Sequence, residues 1–308
     1  MKRKNDLRQK GFTLIELMVV ILIINILMAL LLPSIQAMRE SVRRGQCQGN
    51  LSRIVLAVKE HEEVFGLLPS GVADPQGPIR NIPEGKHLGW IALILPFLEQ
   101  TPLFNEIDFL EGTYDPANRT PWLTDAHTVL MCPTDRSGAS PHSNYMACHE
   151  GVETPIDAGN RGMFFLNSTL RSRDISDGNS YTIWFGECNI ATPRRPTPET
   201  MNSISLGWMS GTPGTIRNTG TRLNSTGISV DWPMPFNPGG YLNTETLPYR
   251  GGEIPEQFYV GGFGSLHPGG ANFALGDGQV RMLFETIDAS VYRQLGRRND
   301  QGPHSLGD

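Results

Sequence analysis

The feature that most constrains this chain is a long uncharged apolar stretch that follows a short basic segment at the N-terminus. Residues 2–10 carry five Lys or Arg side chains against one Asp, and residues 17–38 contain no charged side chain. With the apolar residues before it, the run is about long enough to cross a ~30 Å hydrocarbon core once as a helix. The basic residues predict that the N-terminus stays in the cytoplasm and that the chain after residue 38 lies in the periplasm or outside the cell.

Glycine and proline divide the chain into two parts of different character. The chain has 34 Gly and 23 Pro, yet residues 1–44 contain only Gly11 and Pro33. Because Gly and Pro cost about 1 and 3 kcal/mol in a helix interior, this composition excludes a helical bundle and indicates a turn-dense head after a helical stalk. The formal net charge is −5 although the first ten residues carry +4. The remainder is therefore acidic and gives no reason to expect nucleic acid as a partner.

Two ordinary explanations of the apolar stretch meet difficulties. A cleaved secretory signal has an apolar region of about 7–15 residues and small residues before the cut, whereas bulky Ile35 would occupy the −3 position of a cut after Ala37. A plain membrane anchor fits the hydropathy but gains nothing from Glu16. A carboxylate costs roughly 2.5–3.5 kcal/mol at the bilayer centre and less near an end. A cation from a neighbouring chain, such as a newly exposed α-amino group, would offset that cost.

Residues 10–20 read Lys-Gly-Phe-Thr-Leu-Ile-Glu-Leu-Met-Val-Val, which resembles the class III signal of type IV prepilins. The resemblance implies that prepilin peptidase cuts between Gly11 and Phe12 on the cytoplasmic side and that Phe12 becomes N-methylated. Glu16 would be the fifth mature residue, which in pilins pairs with the N-terminal amine of the adjacent subunit during assembly. Pro33 matches a helix-kinking proline, whose missing N–H is the physical cause of the kink. The implied partners are the peptidase, other pilin-like subunits and inner-membrane assembly machinery.

Apolar residues at three- and four-residue steps predict that residues 12–65, after a leader of residues 1–11, form one transmembrane and stalk helix. Gly45 and Gly49 predict a weakened or broken helix within it. We expect its apolar face to pack on the head, in preference to pairing with a partner helix. The face consists of Ile35, Met38, Val42, Leu51, Ile54, Val55, Val58 and Phe65.

The head, residues 72–308, is long enough to enclose a sizeable core and has local signals for some of its elements. We predict a short helix within residues 86–100, a strand over 128–132 that ends at a Cys-Pro-Thr-Asp turn, and a strand over 181–186. Residues 191–255 are rich in Pro, Gly, Thr and Asn and are expected to include long surface loops.

The strongest local signal lies near the C-terminus. Two strand-like runs within residues 271–284 flank Gly276-Asp277-Gly278, and an Asp-Gly pair predicts a hairpin with a type I′ turn. Thr286 is expected to cap a final helix over residues 286–295. With the stalk helix, these elements predict an α+β fold with a β-rich, loop-rich head.

Several short segments together resemble the family known as domain of unknown function 1559, pilin-like proteins expanded in planctomycete-type bacteria. Its hallmark is a C-terminal H-x9-D-G motif, which here consists of His267, Asp277 and Gly278. The resemblance spans nearly the whole chain and implies a type IV pilin-like fold, with the long helix packed on the head, but no activity. The other matching segments are residues 11–17, 46–51, 95–100, 132–135, 144–145, 174–180 and 186–187.

His267 and Asp277 are candidates for chemistry in the head, as metal ligands or as an acid–base pair. The alternative is that Asp277 makes the turn and His267 orders the loop before the hairpin, and Glu187 has the same two interpretations. Asp174 and Asp177 could offer oxygen ligands to calcium, although the Asp-x-Asp-x-Asp-Gly spacing is absent. Because motifs such as Gly-x-Ser-x-Gly and His-Glu-x-x-His are also absent, we expect no catalytic residue and no cofactor.

The chain has four cysteines, Cys47, Cys132, Cys148 and Cys188. Export would place them in an oxidising compartment, which favours disulfides over a zinc site. Four cysteines allow three pairings, and the sequence does not choose among them. Our hypothesis is that one disulfide, between the first two cysteines, ties the stalk to the head and that the other two cysteines form a second bond within the head.

Three functions are compatible with these observations. The first is a non-enzymatic pseudopilin or minor pilin, as in type II secretion-like systems, whose head has a structural or binding role. The second is an anchored protein whose head binds a glycan or a secreted protein without joining a filament. The third and least favoured is an anchored hydrolase that uses His267 and Asp277.

Overall fold

The computed structural model describes residues 13–123, 128–135, 142–189, 206–224 and 254–300. The chain divides into two compact units, Met1–Arg43 and Arg44–Asp308. The boundary lies inside the first helix, so the C-terminal part of that helix belongs to the second unit. The combination of a long helix with a sheet-containing unit is the predicted α+β class.

Helix α1, Leu14–Phe65, has 52 residues and is the one helix in the described ranges that is long and apolar enough to cross a membrane. It runs through Gly45 and Gly49 without interruption, so the helix is not broken there, whereas a weakening at these glycines stays a prediction. Each Gly costs about 1 kcal/mol relative to Ala, whereas each buried Leu, Ile or Val gains about 1.5–3 kcal/mol. Packing therefore outweighs the glycines. The buried α1 residues are Cys47, Leu51, Ile54, Val55, Ala57, Val58 and His61.

The apolar face predicted for α1 is buried in one part of the helix and exposed in another. Four of its five members within the second unit are buried in the core of that unit, as predicted: Leu51, Ile54, Val55 and Val58. Its remaining members are exposed, at Ile35, Met38, Val42 and Phe65. Helix α1 then ends because Gly66 adopts the left-handed conformation, with a φ of 74°, while its N–H donates to the carbonyl of Glu62 at 2.7 Å.

Four short α-helices follow, α2 (Trp90–Ile94), α3 (Thr101–Asn105), α4 (Arg119–Leu123) and α5 (Ala289–Leu295). The short helix predicted within residues 86–100 is α2, and a 3-10 helix, Leu95–Leu98, continues it. Further 3-10 helices occur at Pro116–Asn118, Thr128–Leu130, Ser172–Asp174, Asn179–Tyr181 and Glu256–Phe258.

Seven strands form two sheets in the described part of the second unit. The small sheet pairs β1 (Val72–Ala73) with β2 (Leu88–Gly89). The large sheet consists of β3 (Tyr145–Glu150), β4 (Ile183–Glu187), β5 (Ile216–Asn218), β6 (Gly270–Leu275) and β7 (Val280–Phe284). Its order is β5-β3-β4-β6-β7, parallel between β3 and β5 and antiparallel elsewhere.

Both faces of the large sheet are covered, since every residue of β3, β4 and β6 is buried. One face packs with α2 and with the buried residues of α1. The ring of Phe185 on this face lies 4.7 Å from the rings of both Trp90 and Phe164. The other face packs against α5 through Tyr292 and Leu295. Strands buried on both faces produce continuous apolar runs, which explains why the sequence predicted a strand over residues 181–186, where β4 lies.

The C-terminal hairpin is present where predicted, but its turn is of another type. Of the three loop residues, only Gly278 has a positive φ, at 96°. Its N–H donates to the carbonyl of Leu275 at 2.9 Å, and the N–H of Leu275 donates to the carbonyl of Gln279 at 2.9 Å. This is a three-residue loop with a left-handed glycine, whereas a type I′ turn needs positive φ at both central residues.

The strand predicted over residues 128–132 is absent, and a 3-10 helix, Thr128–Leu130, takes its place. Asn144 satisfies the backbone here: its N–H donates to the carbonyl of Leu130 at 2.8 Å, and its Oδ1 accepts from the N–H of Cys132 at 2.9 Å. These bonds replace the ladder that a neighbouring strand would supply. The Cys-Pro-Thr-Asp turn is present, closed by the N–H of Asp135 at 3.0 Å from the carbonyl of Cys132.

Two further predictions need correction. Helix α5 is capped by Asp288, whose Oδ1 accepts from the N–H groups of Ser290 and Val291, and it begins later than a cap at Thr286 would allow. Residues 206–224, within the range expected to contain surface loops, are largely buried and include β5. The rest of the 191–255 range lies outside the described residues.

Candidate functional site

Four buried side chains from separate parts of the chain converge in the second unit: Cys47, Cys132, Glu187 and His267. The first lies on α1 and the second follows the 3-10 helix at residues 128–130. The third ends β4, and the fourth precedes β6. Their sulfur, carboxylate and imidazole atoms all lie within 4.8 Å of one another. We call these four residues the Cys-Glu-His cluster.

Cys47 and Cys132 form a disulfide in the structure, which is the first of the two pairs that we hypothesised. Their Cα atoms are 5.4 Å apart, and 85 residues separate them in the sequence. The bond therefore ties α1 to the loop that precedes β3. In the chain-entropy model, closing a loop of this length stabilises the folded state by about 4–5 kcal/mol.

His267 joins the two halves of the cluster. Its Nε2 lies 3.6 Å from Sγ of Cys132 and 3.4 Å from Oε1 of Glu187. The loop before β6 holds the residue in place, because the N–H of His267 donates to Oγ of Ser265 at 3.2 Å. One imidazole nitrogen therefore has both a sulfur atom and a carboxylate oxygen within reach, and these are atom types that bind transition metals.

Glu187 is oriented by the neighbouring strand. Its Oε2 accepts from the N–H of Asn272 at 2.8 Å, and its Oε1 accepts from Nδ2 of the same residue at 2.9 Å. Oδ1 of Asn272 in turn accepts from Nε2 of Gln48 on α1 at 3.0 Å. Gly186 permits this approach, since a Cβ there would lie 2.6 Å from the ring of Phe273. The carboxylate is thus fixed by the buried Asn272, which the half-buried Gln48 holds in turn.

Asn144 and Asn50 hold the loop that carries Cys132. Beyond its bonds to that loop, Asn144 donates from Nδ2 to Oδ2 of Asp135 at 2.8 Å and to the carbonyl of Cys188 at 3.2 Å. Asn50 on α1 donates from Nδ2 to the carbonyl of Met131 at 3.1 Å and to the hydroxyl of Tyr145 at 3.2 Å. The loop is therefore positioned by α1 and β3 together with the disulfide.

The segments that the sequence singled out separately meet at this cluster. Residues 46–51, 132–135, 144–145, 186–187 and His267 each contribute a cluster residue or a side chain that positions one. Sequence reasoning named Glu187 and His267 but did not join them to the first two cysteines. The order of these short motifs along the chain was the sequence signal for the cluster, although it does not give the distances between the side chains.

The structure does not bring His267 and Asp277 together. They flank opposite ends of β6, and a six-residue strand spans about 17–20 Å. Oδ1 of Asp277 accepts from the N–H of Gln279 at 2.8 Å, so this residue shapes the hairpin turn, as the alternative interpretation held. The acid–base pair, the less favoured of the two interpretations, is therefore not formed, whereas His267 lies among potential metal ligands.

Asp174 and Asp177, the weak calcium candidates, have local roles in the structure. Oδ2 of Asp174 accepts from the N–H of Arg171 at 2.8 Å. Oδ2 of Asp177 accepts from the N–H of Asp300 at 2.5 Å and so fixes the end of the described chain. Among the described residues, neither Asp belongs to the cluster of potential metal ligands.

The second hypothesised disulfide is absent, because Cys148 and Cys188 are buried free thiols. In the antiparallel register Tyr145 lies opposite Glu187, so Cys188 lies beside residue 144. Cys148 is four residues further along β3, about 13 Å away on an extended strand. That separation is too large for a bond, which needs Cα atoms within about 7 Å. Burial raises the pKa of the Cys148 thiol well above its usual range, so it is a poor nucleophile.

At the N-terminal end of α1, Thr13 and Glu16 form a capping box. Oε2 of Glu16 accepts from the N–H of Thr13 at 2.9 Å and from its Oγ1 at 2.7 Å. The N–H of Glu16 points back to Oγ1 of Thr13 at 3.3 Å. The Thr-x-x-Glu spacing is the sequence signal for this motif, and our sequence reasoning missed it. Gly11 and Phe12 lie outside the described residues.

Helix α1 contains Pro33 within its continuous span. Proline lacks an N–H, so the carbonyl of Ala29 loses its usual helical donor at this position. The neighbouring Ser34 donates from Oγ to the carbonyl of Leu31 at 2.8 Å. The role of Pro33 in assembly stays a prediction.

Comparison with known proteins gives a consistent result. Residues 36–290 match the model of a family described as protein of unknown function (DUF1559), and residues 6–32 match the prokaryotic N-terminal methylation motif. ComG operon protein 3 homolog of Bacillus licheniformis is 26% identical over 93 residues, which cover 26% of this chain and 96% of that protein. No solved structure gives a significant match.

Proposed function

This chain belongs to the DUF1559 family and is a pilin-like, membrane-anchored protein, and from this premise we propose that it is a pseudopilin or minor pilin. Prepilin peptidase would cut it between Gly11 and Phe12 and methylate the new N-terminus. It would cross the inner membrane once, with the basic segment in the cytoplasm and the second unit outside. There it would join other pilin-like subunits, and its head would have a structural or binding role.

The observation that carries this proposal is the overlap of the methylation motif with the start of α1. The motif covers residues 6–32, and α1 begins at Leu14 with an uncharged apolar run after Glu16. A cut after Gly11 would leave the Thr13–Glu16 capping box intact, because both of its residues lie in the mature chain. The mature protein would thus begin two residues before the helix.

The burial of the Cys-Glu-His cluster supports a non-enzymatic head. Glu187 and His267 are each 2% exposed, so a substrate has no access to them in this conformation. The separation of His267 from Asp277 by the length of β6 removes the acid–base pair that an anchored hydrolase would have used.

The geometry of Glu16 suggests how it would act in assembly. Among the described residues, both hydrogen bonds to its carboxylate use Oε2. Oε1 would accept from the N-terminal ammonium group of the adjacent subunit. In a medium of low dielectric constant this charge-assisted bond is much stronger than in water.

Substitution of Glu16 separates its charge from its role in the capping box. Glu16→Gln keeps an N3 acceptor for Thr13 but removes the charge, whereas Glu16→Leu removes both. We expect both variants to be processed and to insert in the membrane, and both to lose roughly tenfold or more of their assembly, which corresponds to about 1.4 kcal/mol. Assembly is measured by crosslinking in membranes and by the amount of chain in sheared filaments.

Glu40→Gln is the matched control, since Glu40 lies on the same helix and forms a half-buried ion pair with Arg43 at 2.7 Å. It should assemble like the wild type. If Glu16→Gln assembles like the wild type while Glu16→Leu does not, Glu16 acts as a helix cap and the proposed pairing is wrong. A wild-type chain found only as membrane monomers would contradict assembly itself and favour an anchored ligand-binding protein.

A further inference from the structure

We propose that the Cys-Glu-His cluster is a zinc site that the chain forms when its disulfide is reduced. Cys47 and Cys132 would bind as thiolates, His267 through Nε2 and Glu187 through Oε1. The site would hold one Zn²⁺ ion with all four positions filled by the protein, which is the arrangement of a structural zinc site. This inference does not depend on pilin-like assembly.

The distances already present fit a tetrahedral ion. Zinc bonds of about 2.3 Å to sulfur and about 2.1 Å to nitrogen and oxygen place a sulfur and a nitrogen ligand about 3.6 Å apart. The same bonds place a nitrogen and an oxygen ligand about 3.4 Å apart. The structure has 3.6 Å between Sγ of Cys132 and Nε2 of His267, and 3.4 Å between that nitrogen and Oε1 of Glu187. Two edges of the tetrahedron therefore exist before any metal binds.

To bind zinc, the cluster must also change the distance between its two sulfur atoms. In the disulfide they are covalently bonded, whereas two thiolates on one zinc ion lie about 3.8 Å apart. Cys47 and Cys132 are held on different elements, α1 and the loop after residue 130, so a small separation of these elements opens the site. The disulfide and the zinc complex are therefore mutually exclusive states of the same four side chains.

The conversion balances with a dithiol as the reductant. Thiol–disulfide exchange breaks the Cys47–Cys132 bond, transfers two electrons and two protons to these cysteines, and leaves the reductant as a disulfide. Zinc binding then releases the two protons, because thiolates are the metal-binding form. The zinc state thus belongs to reducing conditions and the disulfide to oxidising ones.

The surroundings of the cluster favour zinc over calcium. Calcium takes six to eight oxygen ligands, whereas this cluster offers two sulfurs, one nitrogen and one carboxylate oxygen. Asn272 donates two hydrogen bonds to Glu187, and Gln48 fixes Asn272. Such outer hydrogen bonds orient ligands, and their loss typically weakens metal binding about 10–100-fold.

The test is titration of the full chain, purified in detergent, with Co²⁺ as a coloured substitute for Zn²⁺. Reduced protein, freed of reductant, should bind one Co²⁺ per chain. The complex should show thiolate-to-cobalt charge-transfer absorption and the intense visible bands of tetrahedral cobalt, and Zn²⁺ should displace the cobalt. Protein with the disulfide intact should show neither signal. This comparison needs no substitution and so does not depend on the folding of a variant.

Variants identify the ligands. Cys132→Ser should remove the charge-transfer band or weaken binding at least about 100-fold, and Asn272→Leu should weaken it about 10–100-fold. Cys148→Ser, a buried thiol outside the cluster, should bind like the wild type. The proposal is overturned if fully reduced wild-type chain binds neither metal. Equal binding by the oxidised chain, or loss of the band in Cys148→Ser but not in Cys132→Ser, would also overturn it.

Discussion

At the scale of single residues, His149 on β3 is a buried imidazole that the fold keeps neutral. Its Nδ1 donates to Oδ1 of Asn160 at 3.1 Å, while Nε2 has no hydrogen-bond partner in the described structure. Burial lowers the pKa of His149 to about 4, with Arg217 adding to this effect, and the contact with Asn160 and the charge of Glu150 oppose it only in part. The proton therefore binds the unfolded chain more readily than the folded one.

The depressed pKa of His149 predicts a loss of stability in mild acid. The free energy of unfolding should fall as the pH drops from about 6.5, the ordinary pKa, toward the folded pKa of about 4. His149→Gln, which does not titrate, should have a flatter pH dependence in that window, by up to ~3 kcal/mol. Thermal unfolding of the full chain in detergent at several pH values measures the difference. Parallel curves for variant and wild type would contradict the buried neutral imidazole.

Protonation of Glu150, the next residue along β3, also lowers the stability of the fold, but at lower pH. Burial alone would raise the pKa of this carboxyl, but Arg297 and Arg161, with the N–H groups of Gly151 and Arg161, outweigh burial and lower it. Arg297 Nε lies 2.9 Å from Oε1 of Glu150. The stability gained from this network is present above the ordinary pKa of the carboxyl and disappears as the pH falls through the folded value.

At the scale of elements, the glycines of α1 show how local preference and packing compete. Gly49 and Gly66 are alike in that an added Cβ would meet nothing within 4 Å. They differ in backbone conformation, because Gly49 is helical and Gly66 has a φ of 74°. This pair separates the effect of the backbone from that of steric contact.

Gly49→Ala should therefore stabilise the chain by about 0.5–1 kcal/mol, since Ala has the higher helix propensity and reduces the freedom of the unfolded chain. Gly66→Ala should destabilise it by about 1–2 kcal/mol, because a side chain disfavours the left-handed conformation. Chemical denaturation of the two variants measures both effects. If both variants were destabilised to a similar extent, the space that the structure shows around an added Cβ at residue 49 would be contradicted.

The sequence predicted elements well where the signal was local. The hairpin at residues 271–284 follows from the Asp-Gly pair and its flanking runs, and the buried face of α1 follows from helical spacing. The strand expected over 128–132 failed because Asn144, from another segment, satisfies that backbone. Strand β5 was missed because it pairs in parallel with β3, opposite Ala147, across a long sequence separation.

At the scale of the whole molecule, the Cys-Glu-His cluster could be predicted only in pieces. Its residue types are visible in the sequence, and the Cys47–Cys132 pair was one of the bonds hypothesised. The contact between His267 and Glu187 depends on the antiparallel pairing of β4 with β6, which no short motif encodes. The nine-residue spacing of His267 and Asp277 instead suggested that these two side chains act together, whereas β6 holds them apart.

The central claim about the whole molecule is that its N-terminus is processed as in pilin-like proteins. The most direct measurement is the intact mass of the protein purified from membranes, with sequencing of its N-terminal peptide. We expect a mature chain that starts at N-methylated Phe12, and a Gly11→Ala variant that keeps the leader because the peptidase needs the glycine. A wild-type chain that retains Met1, or a Gly11→Ala variant with the same mature mass as the wild type, would contradict it.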